Sequence, residues 1–148
     1  MDAQEQLDRF IDRFTPQVAA DGRRAMAWLL PRLPGAHRLV YDNYNALAVA
    51  YSSNGRMNGT AMSVAFYPRW VSLFFMHGTA LPDPARLLEG AGAHIRHMKL
   101  RDMGRLDDPA LADLVAVQAA ITVPPFVGGE DGPLVIQSVS AKQRPRRP

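Results

Sequence analysis

The sequence predicts an α+β domain in which a short antiparallel meander sits between N-terminal and C-terminal helices. Three observations carry that reading. Apolar residues recur at helical spacing near the start of the chain. From His37 the texture changes to short runs rich in aromatic and β-branched residues, separated by turn formers. A second helical pattern, rich in Leu and Val, follows a capping signal at Asp108-Pro109.

Leu7, Phe10, Ile11 and Phe14 stand at i, i+3, i+4 and i+7, which puts them on one side of a helix over residues 3–14. Thr15-Pro16 reads as an N-cap followed by proline at the first helical position, where a missing N–H costs nothing. The helix it opens carries Val18, Met26, Leu29 and Leu33, and Pro31, Pro34 and Gly35 stop it. Strands are expected at 37–42, 46–52, 60–67 and 70–77. Asn54-Gly55 and Asn58-Gly59 supply the positive φ angles that the connection from Ser52 to Gly59 needs, and Tyr67-Pro68-Arg69 makes the next turn.

Asp83-Pro84 and Asp108-Pro109 repeat one device, an Asp cap before proline, so each is expected to open a helix. The first should end near Glu89-Gly90; the second should bury Leu111, Leu114, Val115 and Ile121. Between them, residues 94–101 look extended, with Met98 and Leu100 on one face and His97, Lys99 and Arg101 on the other. That makes about five strands. Beyond Pro124-Pro125 the chain loosens through a Gly-rich stretch, then recovers an apolar run, Leu134 to Val139, that could form a late strand. The organisation expected is one domain over residues 1–137 and a basic Arg/Pro-rich tail over 138–148, with no internal repeat.

At 148 residues the chain can bury one sizeable core. It contains no cysteine, which excludes a disulfide framework, a thiolate nucleophile and Cys-ligated metal sites. The first residues, MDAQEQLDRF, carry acids and no apolar h-region, and no window is long and apolar enough to span a bilayer. The expectation is a cytoplasmic protein without a membrane partner. The net charge of +3 comes from 17 Lys+Arg against 14 Asp+Glu; removing Lys142, Arg144, Arg146 and Arg147 leaves 13 against 14, a net of −1. The tail alone makes the protein basic.

Each candidate for chemistry has a plainer structural reading beside it. His94 and His97 would share a metal on a helix, but on a strand their side chains diverge. Gly90-Ala91-Gly92 lacks the third glycine of a phosphate loop and follows a helical segment, so it reads as a helix stop. There is no G-x-S-x-G. Asp2, Glu5, Asp8 and Asp12 form an acidic stripe opposite the apolar side of the first helix, a source of oxygen ligands for a hard cation or an ordinary solvated face moderated by Arg9 and Arg13. Arg69, Arg96, His97, Lys99 and Arg101, with aromatic neighbours, could line a pocket for an anion, or form a normal basic sheet surface. The tail's arginines suit phosphates, but the segment has no aromatic residue to stack a base. A solvated tail, or one folded back on the slightly acidic body, fits it better than a nucleic-acid partner.

The stretches YDNYNALAVAYS (41–52), FYPRWVSLFFMHGTALPDP (66–84), LLEGAG (87–92) and IRHMKLRD (95–102), followed by the capped helix, resemble the YdhG-like family, domain of unknown function 1801. The resemblance spans roughly residues 36–121, and SVSAKQRPRRP resembles the ending of one bacterial subgroup. It implies a compact α+β fold with a curved antiparallel sheet and flanking helices. It also implies, for some relatives, frataxin-like iron delivery through acidic surface residues; it supplies no catalytic residue.

The resulting expectation is a non-enzymatic binding domain for a small anionic molecule, without a cofactor, whose contact surface comprises Tyr44, Tyr67, Arg69, Trp70, Arg96 and Lys99. The alternatives are an iron-binding chaperone using Asp2, Glu5, Asp8 and Asp12, and weak nucleic-acid association through the tail.

Overall fold

A computed structural model describes residues 1–148. Two helices open the chain, α1 (Ala3–Asp12) and α2 (Pro16–Leu29). Four strands follow: β1 (His37–Asp42), β2 (Leu47–Ser52), β3 (Thr60–Phe66) and β4 (Val71–Phe75). A long irregular segment then leads to β5 (Arg96–Leu100), α3 (Pro109–Ile121) and β6 (Leu134–Val139). The strands form one open sheet in the order β5-β4-β3-β2-β1-β6. No helix is long and apolar enough to cross a membrane.

Helix starts follow the capping chemistry. The Thr15 hydroxyl accepts from the Val18 amide at 3.3 Å, and the Asp108 carboxylate accepts from the Ala110 amide at 2.9 Å. Asp2 does the same for Glu5 at 2.8 Å. Asp83-Pro84, however, opens no helix. Both Asp83 oxygens are taken by the Leu87 and Leu88 amides, at 2.9 Å each, and Arg86 adopts a φ of 54°. A left-handed residue at that point breaks the helical ladder before one turn can close. The segment instead swings back to the sheet, where Glu89 and His97 exchange backbone bonds of 2.7 and 2.9 Å.

The five strands β1 to β5 are antiparallel neighbours, but the sheet has six. The sixth, β6, lies parallel to β1, with an irregularity beside Val40/Tyr41. The chain leaves β5 at one edge of the sheet and reaches the other edge through α3 before β6 begins. This strand runs to Val139, past the expected domain limit at residue 137.

All three helices cover one face of the sheet. Leu7, Ile11 and Phe14, then Val18, Ala25 and Leu29, then Leu111, Leu114 and Val115 join the inward residues of the strands in a single buried core. Ile121 departs from the expected stripe and is 38% exposed. It closes the last turn of α3, where the polar side of the helix is used instead: buried Gln118 accepts from the His77 amide at 2.9 Å and ties α3 to the end of β4. The parting of alternate residues on β5 is as the sequence predicts, with Met98 and Leu100 buried.

Close approach of α2 to β3 rests on Gly22. A Cβ placed there would lie 1.9 Å from the Phe66 ring, which is itself fully buried and packed at a tilt against Phe14, 5.6 Å between ring centres. Gly22→Ala therefore forces the helix off the sheet. Overpacking of this kind costs about 1–3 kcal/mol, more than the roughly 1 kcal/mol that alanine gains over glycine in a helix. Urea denaturation of the variant should show a lower midpoint; an unchanged one would mean that the ring yields freely.

Candidate functional site

Because the helices take one face, the other face of the sheet is left to side chains alone. The register aligns them in two rows across β1 to β5. One runs Tyr41, Ala48, Ala65, Ser72, Lys99; the other runs Leu39, Ala50, Ser63, Phe74, His97. The middle of both rows is Ala or Ser, so the centre of the face is a shallow trough with a floor of Ala48, Ala50, Ser63 and Ala65. Larger groups rise on the β4–β5 side. Phe74 stacks on His97 at 5.3 Å, and Trp70 lies over β4 with its indole N–H donating to Ser72 Oγ at 3.1 Å. Tyr67 stacks on Trp70 at 4.9 Å, and the Lys99 ammonium sits 4.5 Å from the centre of the Trp70 ring. Burial raises the Tyr67 phenol above its ordinary pKa, which keeps it neutral and able to donate at neutral pH.

The basic tail is folded onto the body. Ser140 continues the β6 ladder, donating its amide to the Asp42 carbonyl at 2.9 Å. Gln143 donates to the same carbonyl at 3.0 Å and accepts from Arg13 at 2.7 Å. Arg146 is only 4% exposed, and its Nη2 meets Asp42 Oδ1 at 2.8 Å; Asp42 is itself 1% exposed. The same guanidinium lies 5.6 Å from the centre of the Phe14 ring and donates to the Asn43 carbonyl at 2.6 Å. Arg147 donates to the carbonyls of Arg13 (3.1 Å) and Asp12 (3.4 Å), at the negative end of the α1 dipole. Arg144 pairs its amide with the Tyr44 carbonyl and lies 5.6 Å over the Tyr44 ring.

This docking builds a cavity of about 570 Å³ whose lining includes Tyr67, Arg69, Trp70, Arg144 and Arg147. It shares Asn45 and Tyr67 with a second hollow, about 500 Å³, that lies on the trough floor beneath Tyr44 and Phe74. Five of the six residues expected at a binding surface thus lie together: Tyr67, Arg69 and Trp70 in the cavity, Lys99 over Trp70, and Tyr44 on the rim of the adjoining hollow. Arg96 does not join them. It stands at the opposite end of β5, opposite Phe75, and turns back to the carbonyls of Gly92 and Ile95. Sequence reasoning missed Arg144 and Arg147 as members of this site. The signal that could have found them was the acid Asp42, alone at the end of an apolar strand and in need of a cation.

The acidic stripe of α1 is placed differently. Asp2 caps the helix, while Asp8 and Asp12 lie 3.6 and 3.1 Å from Arg23 of α2. No three His, Asp or Glu side chains converge as a metal-holding group. His97 lies 3.7 Å from Glu89. No family model, no curated protein and no solved structure matches this chain.

Removing either partner of the buried pair strands a charge. Asp42→Ala and Arg146→Ala are each expected to lower unfolding free energy by about 3–5 kcal/mol. The double variant should cost clearly less than the two losses together, because the pair acts as one unit. Chemical denaturation of the three proteins checks this, and simple additivity would show that the two groups do not interact.

Proposed function

We propose that the open sheet face and the docked tail together bind a small anion with a planar or apolar body, and that the protein works as a non-enzymatic binding domain. The observation that carries this reading is the cavity in which Arg69, Arg144 and Arg147 surround the Tyr67–Trp70 stack, with no Asp or Glu in its lining. Guanidinium groups offer paired N–H donors that match carboxylate and phosphate oxygens. The aromatic stack offers a flat apolar wall beside them, and the Ala/Ser floor extends that surface without a charged group. The ligand class is therefore an aryl carboxylate or a phosphorylated small molecule. The resemblance to the YdhG-like family rests on the quoted sequence stretches alone.

Calorimetric titration with a panel of aryl carboxylates and phosphomonoesters tests the proposal. Saturable binding of at least one of these classes is expected. Arg144→Gln should weaken it by about tenfold or more, since a hydrogen bond to a charged group contributes about 1.5–3 kcal/mol. Trp70→Ala should weaken it as well. A panel that binds nowhere, or binding indifferent to both substitutions, would overturn the reading.

A further inference from the structure

The two edges of the sheet are finished differently. On the β5 side, Glu89 bridges to His97 and interrupts the outer edge. On the β6 side no other segment does so: the strand hydrogen-bonds to β1, and no backbone or side-chain bond joins residues 134–139 to any other element. Its sequence, LVIQSV, holds no charge and no proline, and Val135 and Val139 are 37% and 55% exposed. Monomeric sheets guard such edges with charges, prolines or bulges that twist them away, because a bare edge recruits another strand. β6 carries one bulge, at Gln137 opposite Val40/Tyr41, but its pairing with β1 resumes at Ser138 and Val139, so the edge stays extended on both sides of it.

The flanks of the strand say which partner fits. Asp131 stands three residues before Leu134, and Lys142 stands three residues after Val139. Both are exposed, and neither takes part in an ion pair within the chain. Antiparallel pairing reads two strands in opposite order. If a second copy of β6 pairs with the first about a two-fold axis between Ile136 and Gln137, Leu134 falls opposite Val139 of the second copy, and Asp131 falls beside its Lys142. Symmetry supplies each contact twice. A parallel pairing would instead set Asp131 beside Asp131 and Lys142 beside Lys142, which is repulsive.

We infer that β6 is the interface of a homodimer, in which two copies pair antiparallel edge to edge and join their sheets into one. The two-fold axis stands perpendicular to the joined sheet, so both open faces look the same way and the two troughs lie on one side. The partner is this same chain, recognised by an uncharged edge with opposite charges at its ends.

Sedimentation velocity over a dilution series, at low and at high salt, reads the association directly. A dimer that dissociates on dilution, and more readily at high salt, is expected. Asp131→Lys alone, or Lys142→Asp alone, turns two attractions into two repulsions and should raise the dissociation constant by roughly tenfold. The exchanged double variant D131K/K142D should return it to near the starting value. Both positions are exposed, so circular dichroism should find the fold intact. Amide hydrogen exchange over residues 134–139 should slow as concentration rises. A protein that stays monomeric at every concentration overturns the inference; so does a dimer indifferent to the single reversals, or one the exchanged pair fails to restore.

Discussion

Much of this molecule is organised around one buried charge. Asp42 ends β1 on the helix-covered side of the sheet, where the ends of α1 and β6 also converge. An isolated carboxylate there would be costly to desolvate. Arg146 meets it from 104 residues away in sequence, and Arg13 approaches its other oxygen at 3.7 Å. Ion pairs of this kind contribute little net stability over an apolar pair of equal volume, yet they are expensive to break and so fix position. Here the position fixed is that of the tail. With Arg146 held between Asp42 and Phe14, the neighbouring Arg144 and Arg147 have few places to go.

The second constraint is the one-sidedness of the fold. The chain has helices enough to cover one face, and the alternation of its strands accepts that. Val49, Val64 and Leu73 point to the helices, while Ala48, Ala65 and Ser72 point away. An uncovered sheet face lined with large apolar groups would be an aggregation hazard. Small residues in the centre and a Trp–Lys contact at the side leave a face that water tolerates and that can still be covered by a ligand.

The local levels of this structure were legible in the sequence because their causes are local. The limits of β1 come from His37 to Asp42 as expected, and Thr15 and Asp108 cap as their side-chain chemistry requires. Asp83 has the same chemistry, but its carboxylate reaches two amides four and five residues on and holds a loop, an outcome set by the bridge of Glu89 to β5. The clustering of Tyr67, Arg69, Trp70 and Lys99 was legible because a turn and one strand pairing bring them together. Arg96 was grouped with them as a basic residue of the same segment, whereas it lies at the far end of its strand. The tail was the hardest part to place. Four positive charges at Lys142, Arg144, Arg146 and Arg147 look like a solvated run, and only a partner as distant in sequence as Asp42 shows that one of them belongs inside.

The trough floor has a thermodynamic consequence. Alanine has no side-chain rotamer to freeze, and serine has only a hydroxyl to orient, so a molecule laid across Ala48, Ala50, Ser63 and Ala65 orders almost nothing beneath it. The entropy of fixing long side chains falls instead on the rim, where arginines close on the charged end. The floor of the hollow is set by backbone spacing and small side chains, so only the rim, with Tyr44, Tyr67 and Phe74, can adjust by side-chain movement. Such a surface discriminates by shape at its floor and by charge at its rim, two filters that substitution could change independently.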